Sequence, residues 1–355
     1  MSTKHDHAPI EETGQRAHAR RKGAVVLAGL TLAGVAVTTA WTSARIGATP
    51  TVVPESLVKV DLESGKVVDV DPVGRIPGEI EIVGRYVFAA SEGDGTLTRV
   101  DTRTGGVVRS GKFDASGGLA AEGAKRVWVA SVRRQQVMAV DAALPLGDSA
   151  KPISSPRVPL PRDSTSGPSL TVGGGSLWIA THTATGEVVE RWRLHPLGRQ
   201  RTYRLGYYDY GNDVTFGYGA AWIALGAPAD AVLRIDARSG RARRIPVGSF
   251  TVGLAAGFGS VWVAEREDDT VRRIDAVTGR TRRVIAVGHV PAGVAVGLGS
   301  VWVTSQCAGT LSRIDPDSHR VVGTIKLGHH PLNLAVGGGF AWVGVGKNVY
   351  FGTCP

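Results

Sequence analysis

One short word recurs along this chain and limits what it can fold into. It reads Trp128-Val129-Ala130, Trp178-Ile179-Ala180, Trp222-Ile223-Ala224, Trp262-Val263-Ala264, Trp302-Val303-Thr304 and Trp342-Val343-Gly344, with the tryptophans 50, 44, 40, 40 and 40 residues apart. Forty residues before Trp128, Phe88 holds the same place in Tyr86-Val87-Phe88-Ala89-Ala90, which makes seven copies. A fixed period of this length marks a repeat architecture, in which each unit buries its faces only against its neighbours.

The anatomy of one repeat is that of a small antiparallel sheet. A run such as Gly293-Val294-Ala295-Val296 leads into a glycine turn, Gly297-Leu298-Gly299-Ser300, and then into the tryptophan word. A third run ends in Arg-Ile-Asp, as at Arg234-Ile235-Asp236, Arg273-Ile274-Asp275 and Arg313-Ile314-Asp315, and a Thr-Gly or Ser-Gly turn leads to a fourth. All four alternate with period two, and none has helical spacing. Asp61, Asp101, Asp141, Asp236, Asp275 and Asp315 are placed to accept turn N–H groups, and Gly65, Gly105, Gly240 and Gly279 fit the left-handed turn position. Four short strands in about forty residues describe a propeller blade. The expected fold is therefore all-β, a seven-bladed β-propeller over 57–355. The blades around 142–156 and 182–190 carry insertions, and His195-Pro196 replaces the turn aspartate in one of them.

The two ends predict how the ring closes. Leu57-Val58-Lys59-Val60-Asp61 matches Leu311-Ser312-Arg313-Ile314-Asp315, so the chain starts with the outer half of a blade. It ends near 332–346 with the inner half of one, giving a composite closing blade without open edges. The tail 347–355 competes with 57–61 for one strand edge, and the sequence leaves that contest open.

The combination G-x-G-S-V-W-V-A, then R-I-D-x-x-T-G, then an apolar strand and V-G-x-x-P resembles the YVTN-type repeat propellers, and is similar to the NHL-like and streptogramin-lyase-like groups. The resemblance spans about 57–351. It implies a propeller that binds, scaffolds or senses, and only occasionally catalyses. The lyases of that group carry His and Glu at the channel mouth, with Mg²⁺. Here His289, His330 and Glu265 fall near such loops without a matching spaced set, so a lyase-like enzyme with a histidine base is the alternative. The leading expectation is a non-catalytic binding module without cofactor or metal.

Ahead of the repeats, residues 23–41 form a 19-residue stretch without charge, long enough to cross a bilayer as a helix. Arg16, Arg20, Arg21 and Lys22 precede it and only Arg45 closely follows, which places 1–22 in the cytoplasm and the propeller outside, on a single-pass signal anchor. Cleavage near Thr42-Ser43-Ala44, releasing a secreted protein, is the competing reading. Residues 42–56 read as a linker.

The chain holds 41 Lys and Arg against 31 Asp and Glu, a net charge of +10. These cations are scattered through the repeats and form no block, and no exposed aromatics interleave with them for base stacking, so nucleic acid is not an expected partner. Loops entering the innermost strands and loops leaving the second strands meet at one end of the channel. Among the first are Arg75, His289, His329, His330 and the least repeat-like stretch, Gly206-Tyr207-Tyr208-Asp209-Tyr210-Gly211-Asn212-Asp213; among the second are Glu92, Glu265 and Gln306. Tyrosines beside acids suit a peptide, glycan or protein ligand, so Tyr207, Tyr208, Asp209, Tyr210, Arg75 and His329 form the expected ligand face, against ordinary loop packing. The two cysteines, Cys307 and Cys354, are placed to pair outside the cytoplasm and pin the C-terminus, with free thiols as the alternative.

Overall fold

A computed structural model of the chain describes residues 49–146, 156–206, 211–348 and 354. The proposed anchor 23–41, the tyrosines of the 207–210 stretch and most of the 142–156 insertion lie outside the described residues. Among the described residues no helix is long and apolar enough to cross a membrane.

Seven four-stranded antiparallel sheets follow one another. Blades one to six cover 77–110, 119–159, 169–204, 211–246, 251–286 and 291–326. The seventh is composite. Its inner strands are His330–Gly337 and Phe340–Gly346, and its outer strands are Ser56–Asp61 and Lys66–Pro72. Ser56–Asp61 pairs along the whole of Phe340–Gly346, from Ser56 opposite Val345 to Asp61 opposite Phe340. The N-terminal strand therefore wins the contested edge. The extra residues at 182–190 are mostly strand rather than loop: they lengthen two strands, Ser176–Thr183 and Gly186–Arg193, that stay paired from Ser176 opposite Arg193 to Thr183 opposite Gly186, with Val188 and Val189 both buried.

Seven apolar cores alternate with the seven sheets, and each is built from two blades. Phe88 packs with Leu119, Val127 and Val129 of the next blade; Trp128 with Leu170, Leu177 and Ile179; Trp178 with Val214, Ala221 and Ile223. The series continues through Trp222, Trp262 and Trp302 to Trp342, which meets Ile80 and Val87 of the first blade and closes the ring. All seven aromatic side chains are buried. Among the described residues, the cores draw on side chains from Val52 to Val345.

The repeated residues around each tryptophan have mechanical reasons. The indole N–H of Trp178, Trp222, Trp262 and Trp302 donates to the carbonyl of Gly173, Gly217, Gly257 and Gly297, five residues earlier. Each of those glycines lies under a side chain of the next blade: a Cβ on Gly257 would stand 2.3 Å from Val296 Cγ1, and one on Gly217 would stand 2.4 Å from Ala256 Cβ. Across the strand pair, Arg191, Arg234, Arg273 and Arg313 place their guanidinium carbons 5.0–5.6 Å from the rings of Trp178, Trp222, Trp262 and Trp302. Lys59 does the same over Phe340 and Trp342. Part of the excess positive charge is thus structural, one such cation in each of blades three to seven. The turn aspartates accept N–H bonds, Asp275 from Val277 and Thr278 and Asp236 from Arg238 and Ser239. Hydrogen bonds from Thr278 and Arg282 hold the Asp275 carboxyl far below the usual carboxylate range.

Candidate ligand site at the channel mouth

The innermost strands bring one repeat position to the propeller axis. Counting back from the first core residue of each strand, the position is Glu79, Gly118, Ser169, Asp213, Gly253, Gly293 and Asn333 in blades one to seven. In blades one, four, five, six and seven the register slips here by a bulge, for instance between Pro77 and Ile80 and between Gly211 and Asp213. A bulge turns a side chain that the strand pleat would otherwise direct into the sheet face. Where the neighbouring strand comes close the position must be glycine: a Cβ on Gly253 would lie 2.3 Å from the Ala292 carbonyl oxygen, and one on Gly293 would lie 2.8 Å from that of Leu332. Where there is room, the chain places Glu, Asp, Asn and Ser.

These residues open into a cavity of about 180 Å³ to which all seven blades contribute. Its polar lining is Glu79, Glu92, Ser166, Ser169, Asp213, Arg266, Gln306 and Asn333. Arg266 and Gln306 come from equivalent turns of neighbouring blades, and an Arg266 Nη1 N–H donates to Gln306 Oε1 at 3.4 Å. Asn333 Nδ2 donates to Glu79 Oε1 at 3.4 Å. The Asp213 carboxylate accepts N–H bonds of 2.7 Å from both Val214 and Leu254, which ties it across to the next blade.

Three carboxyls in poorly solvated space disfavour their own ionisation. Burial first, and then the carboxylates of Asp213, Glu92 and Glu81, push Glu79 well above its ordinary value. Burial raises Asp213 to about 6 against the two N–H bonds that oppose it. Two residues further along the first blade's inner strand, burial raises Glu81 to about 7. Burial also lowers the pKa of Arg266, which stays protonated at any physiological pH.

The residues singled out from sequence are dispersed. Glu92 and Gln306 line the cavity. Glu265 does not: it is fully buried in an ion pair with Arg272 and accepts bonds of 2.7 Å from Thr270 Oγ1 and Gly248 N. His289 meets Asp269 at 2.7 Å. His330 Nδ1 lies 3.3 Å from the Gln306 carbonyl, and the exposed His329 reaches the Val52 carbonyl at 3.2 Å. Arg75 donates to Gly93 O at 2.8 Å and braces two loops of its own blade. His289, His330 and Glu265 are therefore not assembled around one reacting atom. Among the described residues no group of three His, Cys, Asp or Glu side chains is arranged to hold a metal ion, so the Mg²⁺ implied by a lyase resemblance finds no donor set there. Cys307, next to Gln306, is disulfide-bonded to Cys354 with the two Cα atoms 5.4 Å apart, which fixes the C-terminus at the cavity rim.

The residues missed from sequence are Glu79, Asn333 and Arg266, whereas Asp213 ends the 206–213 stretch already singled out. Superposing the repeats on Gly293-Val294-Ala295-Val296 finds Glu79 and Asn333 with Asp213, since each replaces Gly293. Arg266 is neighbour to the residue that was chosen, Glu265.

No protein-family model matches the chain, and no curated protein is detectably similar to it in sequence. Among solved structures it is similar to a streptogramin B lyase, at 17% identity over 82% of this chain and 95% of that one, with a TM-score of 0.66. The virginiamycin B lyase of Staphylococcus aureus follows at 16% identity over 81% and 98%, TM-score 0.60. AztD of Citrobacter koseri matches at 13% identity over 82% and 99%, TM-score 0.55. At these identities the likeness is one of fold: the chain is a seven-bladed β-propeller whose solved counterparts include lyases and proteins of other kinds.

Proposed function

We infer that the protein is a non-catalytic extracytoplasmic binding module, held at the cell membrane by residues 23–41 or secreted after cleavage, whose ligand enters the axial cavity. The observation that carries the reading is the ring formed by Glu79, Ser169, Asp213 and Asn333 at a position where three other blades keep glycine. A purely structural ring has no need of carboxyls whose ionisation the fold opposes. A cationic group placed between them repays that cost, so the ligand bears an amine or guanidine, as in a basic peptide or an amino sugar. Arg266 and Gln306 on the facing blades suit its carboxylate or hydroxyl oxygens. Nucleic acid is an unsuitable ligand for a mouth with three carboxyls and one arginine.

An enzymatic alternative has to draw its acid or base from the groups facing the cavity. Those are Glu79 and Asp213 rather than His289, His330 or Glu265. The test is thermal shift of the 50–355 fragment with oligolysine peptides, glucosamine oligomers and neutral sugars as probes. A basic probe should raise the melting temperature by mass action, and Glu79→Gln with Asp213→Asn should abolish the shift. Equal response to neutral and basic probes, or a shift untouched by the double substitution, would remove the assignment. Turnover of a bound probe would establish the enzymatic alternative.

A further inference from the structure

The face opposite the cavity carries a second departure from the repeat. There the turns joining first to second strands lie beside the turns joining third to fourth, as the bonds Ala237 N–H to Gly219 O and Ala276 N–H to Gly259 O record. At the tip of the inner turn, blades three and seven use glycine in the left-handed region, Gly174 at φ +58° and Gly338 at φ +62°. Blades four, five and six put Tyr218, Phe258 and Leu298 in the same conformation, at φ +54°, +53° and +52°. Bulky L-residues are disfavoured there, and the fold gains no core from them, since they are 46%, 38% and 51% exposed. Tyr218 Oη accepts the Gly259 N–H at 2.6 Å, so the tyrosine lies against the next blade's turn beside Phe258.

A fourth residue extends the patch. Val277 is 84% exposed on the outer turn of blade five. Its counterparts two residues after each turn aspartate include Glu63, Arg103, Arg238 and Asp317. The rim is predominantly basic: Arg238, Arg241, Arg280, Arg283 and Arg320 are exposed around these turns, beside one further exposed acid on blade six, Asp317. The turn acids Asp236, Asp275 and Asp315 are committed to their own turn N–H groups.

We propose that Tyr218, Phe258, Leu298 and Val277 form a membrane-docking patch that inserts into an anionic lipid surface, with the arginines contacting the headgroups. The apolar side chains project from turn tips. A fluid bilayer accepts projecting tips, whereas the anchor residues of protein interfaces characteristically fill pockets. A second copy is the poorer occupant, because two arginine-rimmed faces would meet. The patch lies on the propeller itself and acts whether or not residues 23–41 remain attached.

The experiment uses the 50–355 fragment, which holds the seven cores formed by the described residues and lacks the apolar N-terminal stretch. It is floated with vesicles of phosphatidylglycerol and phosphatidylcholine, and with phosphatidylcholine alone. Binding to the anionic vesicles is expected, weakened by salt and weaker by far on phosphatidylcholine. Combining Tyr218→Gly, Phe258→Gly and Leu298→Gly restores the residue used in blades three and seven, so the fold is kept, which a melting curve verifies. Each removed apolar side chain takes transfer energy with it, and the variant should bind at least about tenfold more weakly. Arg238→Glu with Arg241→Glu should weaken binding to anionic vesicles and leave the residual binding to phosphatidylcholine unchanged. No flotation of the parent fragment overturns the proposal and leaves the patch to a protein partner. Unchanged binding by the glycine variant also overturns it, as does a dimer dispersed by the same substitutions.

Discussion

Glu81 offers a direct test of the electrostatics of the channel. Its carboxyl is raised from an ordinary 4.5 to about 7, chiefly by burial. The folded state therefore holds a proton that the unfolded chain releases, and stability falls as pH rises. The full contribution is present below about pH 4.5, where both states are protonated, and it is lost as the pH passes through about 7. Such a displacement corresponds to about 3 kcal/mol at complete ionisation. The side chain is only half-buried, so solvent screens part of this, which leaves roughly 1–2 kcal/mol. Glu81→Gln keeps the shape and removes the charge. Urea denaturation of the 50–355 fragment should show parent and variant alike near pH 5, and the variant more stable by roughly 1–2 kcal/mol near pH 8. Glu63→Gln, on an exposed turn, serves as the control. A difference between parent and Glu81→Gln that is the same at both pH values would refute the reasoning, since size and hydrogen bonding, not ionisation, would then be the cause. Asp213 and Glu79 are raised as well, so Glu79→Gln and Asp213→Asn should flatten the remaining pH dependence, and the affinity for a cationic probe should rise between pH 5 and pH 8.

Three further outcomes follow from the packing. Gly257→Val places a Cβ 2.3 Å from Val296 Cγ1 and should lower stability by about 1–3 kcal/mol in urea denaturation, whereas Gly105→Ala, with nothing within 4 Å and only its φ of +69° against it, should cost about 1 kcal/mol. Trp262→Ala removes a buried ring that bridges two blades and should cost about 3–5 kcal/mol, read from the same transition. Opening the disulfide with Cys307→Ser and Cys354→Ser frees a loop of 47 residues and should lower stability by about 3–4 kcal/mol, with no further loss on adding reductant.

The architecture was legible because a propeller writes the same physical demand seven times. The tryptophan needs a neighbour's sheet, the glycine before it needs to clear the next blade, and the aspartate needs turn N–H groups. Each recurs at a fixed spacing, and even the composite blade could be read from Leu57-Val58-Lys59-Val60-Asp61. The site was less legible because attention went to loops, where binding residues commonly sit. Here the loop residues are largely braces. Arg75 holds Gly93, Glu265 is buried by Arg272, and His289 leans on Asp269. The groups facing the axis come from strand bulges, which the sequence does not announce: nothing in Gly78-Glu79-Ile80 says that the pleat slips there and turns Glu79 into the channel.

Both proposed faces emerge from one comparison, the chain against itself. In a repeat protein the shared residues answer to packing, since every blade meets the same neighbours. A residue that departs from its six counterparts without serving the core has to be explained by something outside the fold. Glu79 and Asp213 depart where glycine serves other blades, and they bear the added cost of hindered ionisation. Phe258 and Leu298 depart where glycine serves blades three and seven, and they bear a left-handed backbone and exposed apolar surface; Tyr218 shares both features, although its hydroxyl also accepts the next blade's Gly259 N–H. Trp128 shows the contrasting case. In its blade Glu122 holds the strand-end place that glycine takes elsewhere, and the Glu122 side chain accepts the indole N–H at 2.8 Å, so that departure is repaired within the structure and calls for no partner. The distinction between repaired and unrepaired departures separates the two proposed surfaces from the rest of the ring.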